Sequence, residues 1–362
     1  MTSATLRKPP LIIKSRLFLA LLCILLSIRI ILLFLTLEFP PGYDARSYIL
    51  AAQAIRAGYS PYDESTWNHL PVTVSASKYL YPPFLAVLLI PLTTLPLIPA
   101  TYVCILLALL SACLLAVMLH HLAGWRLAIL AVFGFPPAWH SIYLGQINLI
   151  VTVVLMFALG ALDAQRERRI GGWLALGALL KLTPLLSLYV LVIRGYRRAL
   201  VAAAAVIALS VVLTLPVVDV RLWVAGGIAA VRQSWTAPDL VSWTGLLVYW
   251  LNGTGEALGF GLSVCLLAIT TLRANKISTR MAFAAAMLLP LLIARITWEH
   301  HAVMALPALA ILWCDDEGNR PLVAATWLLI AFIGGIAMPI ALTCCWIVCC
   351  WPHLRIPQKR SL

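Results

Sequence analysis

Residues 17–37 read LFLALLCILLSIRIILLFLTL, an apolar run long enough to cross the ~30 Å hydrocarbon core of a bilayer, which takes about 20 residues of helix. The pattern recurs along the chain at Thr101 to Leu119, Ile147 to Leu162, Ala199 to Val218, Leu258 to Leu272 and Met281 to Ile296. Further apolar stretches, interrupted by Pro or Gly, lie between and after these. With 63% apolar residues, 11% charged residues and a mean hydropathy of +0.99, a soluble body has too little polar side chain to cover such a chain. The expected fold class is therefore an all-α polytopic membrane protein. We expect ten to twelve transmembrane helices or half-helices, with residues 1–362 forming a single transmembrane domain.

Charge gives the expected orientation. Arg7, Lys8, Lys14 and Arg16 precede the first run, which is too long for a signal-peptide core and lacks a small-residue cleavage site behind it. It reads as a retained helix with a cytoplasmic N-terminus. The net charge of +13 fits cytoplasmic loops and anionic headgroups of membrane lipids, and no nucleic-acid partner is expected. The nine cysteines sit mostly inside apolar runs, Cys344, Cys345, Cys349 and Cys350 among them, and read as apolar filler.

Holding the basic clusters Arg166 to Arg169, Arg194 to Arg198, Arg273 to Arg280 and Arg355 to Arg360 inside constrains the path. The first two flank one apolar run, Ile170 to Ile193, which Lys181 and Pro184 interrupt near its middle. Two short helices meeting at that break, entering and leaving on the cytoplasmic side, satisfy both clusters and put Lys181 deep in the protein. Ala128 to Leu162 reads likewise as a pair of crossings, broken at Phe135-Pro136-Pro137 and turning at Gly145-Gln146-Ile147-Asn148. The last apolar stretch divides at Gly334-Gly335 and Pro339. Broken helices at membrane depth need protein or a water-filled cavity to satisfy the freed backbone, so a cavity opening outward is expected. Between Pro82 and Leu119 the prolines allow either two crossings or one with a re-entrant piece.

The outer loop, residues 38–81, is the longest polar stretch outside the first helix. Within it Ala45 to Ala57 has helical periodicity closed by Gly58, and reads as an amphipathic helix on the outer face with Tyr48 and its apolar side toward the membrane. A second outer loop, Asp219 to Trp243, carries Trp223, Trp235 and Trp243 as interfacial belts do. Asp44 stands just before the amphipathic helix and has two readings, an N-cap or a general base.

Five matches in register then point to a family. Gly42-Tyr43-Asp44-Ala45-Arg46-Ser47-Tyr48 with Pro61-Tyr62-Asp63 comes first. Tyr81-Pro82-Pro83 follows with Pro91-Leu92 behind it, then Gly145-Gln146 with Asn148, Gly177 to Lys181 with Pro184, and Trp298 with His300-His301. Together they resemble glycosyltransferase family 87, membrane enzymes of the GT-C type that use polyprenyl-phosphate-linked sugars. The chain departs from the family in its short stretch after His301 and in Glu299.

The resemblance implies a GT-C-like bundle in the cell membrane, multi-pass, with the active site facing outward. It implies transfer of a hexose, mannose foremost, from a polyprenyl-phosphate donor to a cell-envelope glycolipid or glycan acceptor at the outer leaflet, with inversion. Asp44 is then the catalytic base on the acceptor hydroxyl. Lys181, an ion in an apolar run, holds the donor phosphate, unless it merely satisfies carbonyls freed at the Pro184 break. His300, His301, Arg295 and Arg46 are further phosphate or substrate contacts, Arg46 also a partner for Asp44. Gln146 and Asn148 offer amides to sugar hydroxyls, with turn capping as the equal alternative. Tyr81 with Pro82-Pro83 reads as shaping the start of a helix. No cofactor is expected and no metal, since adjacent histidines point to different faces of a helix. The competing reading is a polytopic transporter or flippase of lipid-linked sugars, which has ionisable residues at the midplane, and a third is a non-catalytic scaffold.

Overall fold

The computed structural model describes residues 16–62, 76–231 and 240–352. Arg7, Lys8, Lys14, Asp63, Trp235 and the basic cluster from Arg355 lie outside those residues. The described chain is helical, with no strand. It opens with α1 (Arg16–Thr36), α2 (Tyr43–Arg56), α3 (Pro83–Leu89) and α4 (Leu97–Ala123). Next come α5 (Trp125–Phe133), α6 (Pro136–Tyr143), α7 (Asn148–Asp163), α8 (Glu167–Leu180) and α9 (Leu185–Ile193). After these follow α10 (Arg197–Thr214), α11 (Val220–Val231), α12 (Trp243–Ala274) and α13 (Thr279–Ile293). A 3₁₀ segment (Glu299–Ala305) leads into α14 (Leu306–Asp315), and α15 (Arg320–Phe332) and α16 (Ala337–Cys350) close the series.

Among the described residues, four helices are long and apolar enough to cross a membrane: Phe18–Thr36 within α1, then α4, α10 and α12. Their outer faces carry the exposed large hydrophobics, such as Leu35 at 76% and Phe260 at 72%, as lipid contact requires. By contrast α7 and α13, each with twelve buried residues, carry apolar side chains all round and lie in the interior. The protein is a membrane protein of helices packed on helices. Where α8 meets α10, the backbones touch at Gly171, at which a Cβ would stand 1.8 Å from the Ala199 carbonyl oxygen.

The breaks fall where Pro and Gly dictate. Pro136 and Pro137 open α6 because a proline needs no donor partner in the first turn, and Gly134 closes α5. Lys181 is extended between α8 and α9, ahead of Pro184. Gly334 and Gly335, with φ +61 and +48, turn the chain between α15 and α16. Pro339 does not divide that stretch as expected; it sits in the first turn of α16, where proline is tolerated. The segment 82–119 holds the short α3, a 3₁₀ turn and then the 27-residue α4, so it contributes a single long helix. Within α12 the chain reverses at Asn252, and Thr244 Oγ1 lies 3.1 Å from Ser263 Oγ, so the apolar span is carried by residues 253–274.

The two ends of α7 differ in chemistry. At its C-terminal end Arg280, which opens α13, bonds Asp163 and also Asp315 at 2.9 Å. Arg194 beyond α9 bonds Thr279 Oγ1 (2.9 Å) and the Ile277 carbonyl at the same end. Because Glu167 starts α8 just after α7 ends, α8 leaves this end and α9 returns to it. The opposite end of α7, about 24 Å away at 1.5 Å per residue, carries Asn148 and faces the Lys181 break.

The helix expected to turn its apolar side to the membrane packs that side against protein instead. Ten residues of α2 are buried, Tyr48 at 1% exposure, so its apolar side faces protein. Trp223 and Trp243 also pack partly buried against the core, and Trp243 Nε1 donates to Thr343 Oγ1 at 2.8 Å.

Candidate active site

The site begins where the N-terminus of α2 meets the turn between α6 and α7. A helix leaves its first N–H groups without partners, and here the turn supplies them. Gly42 N–H donates to the Tyr143 carbonyl (2.7 Å) and Ala45 N–H to that of Leu144 (3.1 Å). Gly42, in the left-handed region, is the N-cap. Asp44 therefore does not cap the helix as one reading proposed; it stands in the first turn with its carboxylate committed elsewhere.

That carboxylate accepts from Gln146 Nε2 at 2.5 Å and from the Ser77 side chain. A carboxylate only accepts, so the amide nitrogen of Gln146 faces it and the amide oxygen faces away. Oε1 accepts from the Tyr48 and Tyr81 hydroxyls at 2.9 and 3.1 Å, and Nε2 also lies 3.4 Å from His300 Nε2. All four hydrogen-bonding positions of the Gln146 amide are filled, which leaves none for the sugar hydroxyl assigned to it from sequence.

Asn148 does not cap α7, whose N-cap is Ile147. Its Oδ1 accepts from Lys181 Nζ at 2.6 Å, and its Nδ2 points to the His300 carbonyl at 3.4 Å. Lys181 is thus bonded to a side chain and not to carbonyls freed at the Pro184 break, with its ammonium 5.6 Å from the centre of the Tyr81 ring. Ser141 Oγ also donates to the His300 carbonyl (2.9 Å). Asp44, Gln146, Asn148, Lys181 and His300, from four separate stretches of chain, form one connected network. A carboxylate and an ammonium share it without an intervening salt bridge.

His301 has a different task, since its Nδ1 accepts from the Trp298 N–H (3.2 Å) and fixes the start of the 3₁₀ segment. Arg295 pairs with Glu256 of α12 at 2.9 Å and stands apart from the network. Arg46 donates to the Pro41 carbonyl at 3.2 Å.

Sequence reasoning missed three members. Tyr81 does more than open a helix, and Tyr48 faces this site instead of the membrane. His140, whose ring stacks edge-on to that of His300 at 4.9 Å, drew no notice at all. The available signal was its polarity within an apolar run after Pro136-Pro137. Among the described residues, the buried Nδ1 atoms of both His140 and His300 find no hydrogen-bond partner.

Burial strips water from the Asp44 carboxylate and holds its pKa above the ordinary 3.8, against the bonds from Ser77 and Gln146 and the charge of Lys181, which pull it down. The arrangement offers a shielded carboxylate base with a cation close by.

The site sets a buried acid, amides, imidazoles and an ammonium together at one end of a helical membrane body. Family comparison matches residues 79–339 to glycosyltransferase family 87. The chain belongs to that family and is a glycosyltransferase, which decides against the transporter and the scaffold. The match takes in Tyr81, Gln146, Asn148, Lys181 and His300 and begins after α2, which carries Asp44. No curated protein and no solved structure matches the chain.

Proposed function

We propose that this glycosyltransferase moves a hexose, mannose foremost, from a polyprenyl phosphate to a cell-envelope glycolipid or glycan at the outer leaflet of the cell membrane. The observation that carries this reading is the connection of Asp44 to Lys181 through Gln146, His300 and Asn148. Glycosyl transfer needs both ends of that chain. Asp44 takes the proton of the acceptor hydroxyl as its oxygen bonds to the anomeric carbon. The bond from that carbon to the phosphate oxygen breaks, and the polyprenyl phosphate leaves with the electron pair. Lys181 stabilises the charge growing on the phosphate, with His300 as a donor beside it. One base and one displacement invert the anomeric centre, by analogy with the two geometries of glycoside hydrolysis.

The outward orientation is supported by the contrast between the ends of α7. The basic clusters gather at the Asp163 end and the site at the Asn148 end, so holding Arg and Lys inside turns the site outward. We infer that crossings beyond the four long helices are made by short helices in pairs, as α8 and α9 are, giving a bundle of ten to twelve segments. A prenyl tail then reaches the site from the bilayer between helices.

Radiolabelled polyprenyl-phosphate mannose, supplied to the purified protein with a membrane lipid extract, tests the proposal. Labelled glycolipid is expected. A protein that is folded and yields no product from this donor, yet transfers from a nucleotide sugar, overturns it.

A further inference from the structure

We infer that Gln146 is the positioning residue of the reaction, orienting and ionising Asp44 and making no contact with the sugar; this rests on the proposal that Asp44 is the base.

The geometry leaves the amide little freedom. The turn that carries Gln146 is bonded to the first turn of α2 through two backbone N–H groups, so donor and carboxylate are held by the same junction. The carboxylate fixes the amide's orientation, because a flipped amide would set oxygen against oxygen, and the two tyrosine hydroxyls, able to donate or accept, then donate to Oε1. Tyr48 in turn comes from α2 itself, four residues beyond Asp44. The residue is 4% exposed, and every atom able to recognise a ligand is already engaged. What it does for catalysis must therefore pass through Asp44 or His300.

The direction of the effect follows from the donor's preference. An N–H bonded to a carboxylate favours the charged form, so removing it makes Asp44 harder to ionise. Other groups interacting with Asp44 are Ser77, Lys181 and Tyr81, with Tyr48 on its own helix. Lys181 is retained in a Gln146 variant, so the change reports the amide.

Gln146→Met keeps the length without the bonds, and Gln146→Asn keeps an amide that falls short of Asp44. Two readouts are compared with the unaltered protein in detergent, the pH profile of kcat/KM and pH-difference infrared spectra of the carboxyl band that Asp44→Asn removes. For either variant that folds, both midpoints are expected to rise by about one pH unit or more, the size of one charge-assisted hydrogen bond. The loss of rate at neutral pH should fall on kcat, with donor KM within about threefold. Rescue at higher pH is expected as Asp44 ionises. A raised donor KM with the Asp44 band titrating as in the unaltered protein would show Gln146 to be a ligand contact and overturn the inference. Because the infrared titration needs no turnover, it judges Gln146 even if the donor or the base has been misassigned.

Discussion

Lys181 Nζ donates to Asn148 Oδ1 across 2.6 Å, joining the break between α8 and α9 to the first residue of α7. A lysine inside an apolar run is costly unless it is paired or used, and a neutral amide oxygen satisfies one of its three donors without cancelling its charge. That combination suits a group waiting for an anion.

Lys181→Met keeps the apolar stem and removes the ammonium. Donor KM should rise, kcat should fall, or both should change, by about tenfold or more together. The melting temperature in detergent is expected to stay near that of the unaltered protein. Unchanged kinetics with a lower melting temperature would reduce Lys181 to a structural tie.

Much of the fold was legible because proline, glycine and apolar length act locally. Pro136, Gly134, Pro184 and the Gly334-Gly335 pair mark breaks that any helix would suffer, whatever packs around it. The crossing count was less so, since a reversal like that at Asn252 depends on contacts between distant turns. The site was legible in its residues and not in its wiring. Asp44, Lys181, Gln146, Asn148 and His300 stood out as polar groups next to apolar runs. Whether Gln146 meets a sugar or Asp44 depends on two segments about a hundred positions apart, and periodicity carries no such information. Tyr48 was misplaced for a related reason: an apolar helix face looks the same whether it meets lipid or protein.

Orientation in the membrane has its own test. Accessibility reporters at Arg168 and Arg197 should both read inside, and a reporter at Ser60 outside. The Arg194 bonds near Arg280, and through it Asp163, bring the free ends of α8 and α9 to one face. Opposite readings at Arg168 and Arg197 would mean that the α8–α9 pair crosses the membrane once.

Glu299 has a measurable role. Its Oε1 accepts from the Gly335 N–H at 2.8 Å, and its Oε2 lies 4.0 Å from Arg29 on α1. It thus ties the segment carrying His300 to the α15–α16 turn. A Cβ on Gly334 would stand 1.5 Å from Glu299 Oε1, at a φ of +61 that alanine adopts poorly. Gly334→Ala should destabilise the protein by about 1–3 kcal/mol. Gly172→Ala, where a Cβ meets nothing within 4 Å, is the control and should be neutral or mildly stabilising. Equal melting temperatures for the two variants would show that the turn yields freely.

Asp44→Asn separates chemistry from architecture. Asparagine keeps the size, and its side-chain oxygen still accepts from Gln146, while Gly42 continues to cap α2, so no structural bond need be lost. A base is lost all the same, because an amide does not take up the acceptor's proton. Transfer should fall by about 10²- to 10⁴-fold. Stability should move the other way. Burial raises the pKa of Asp44 in the folded state above 3.8, so its contribution to stability is greatest below 3.8 and is lost as pH rises through the folded-state value. Above that value the ionised carboxylate is a cost in the folded state, and Asp44→Asn should melt there at the same temperature or higher. The unaltered enzyme should show an acid limb in kcat/KM above pH 3.8, where Asp44 takes up its proton. Transfer by Asp44→Asn within a few-fold of the unaltered enzyme would remove Asp44 from the chemistry and direct the search to Glu64 and Asp63 in the same loop.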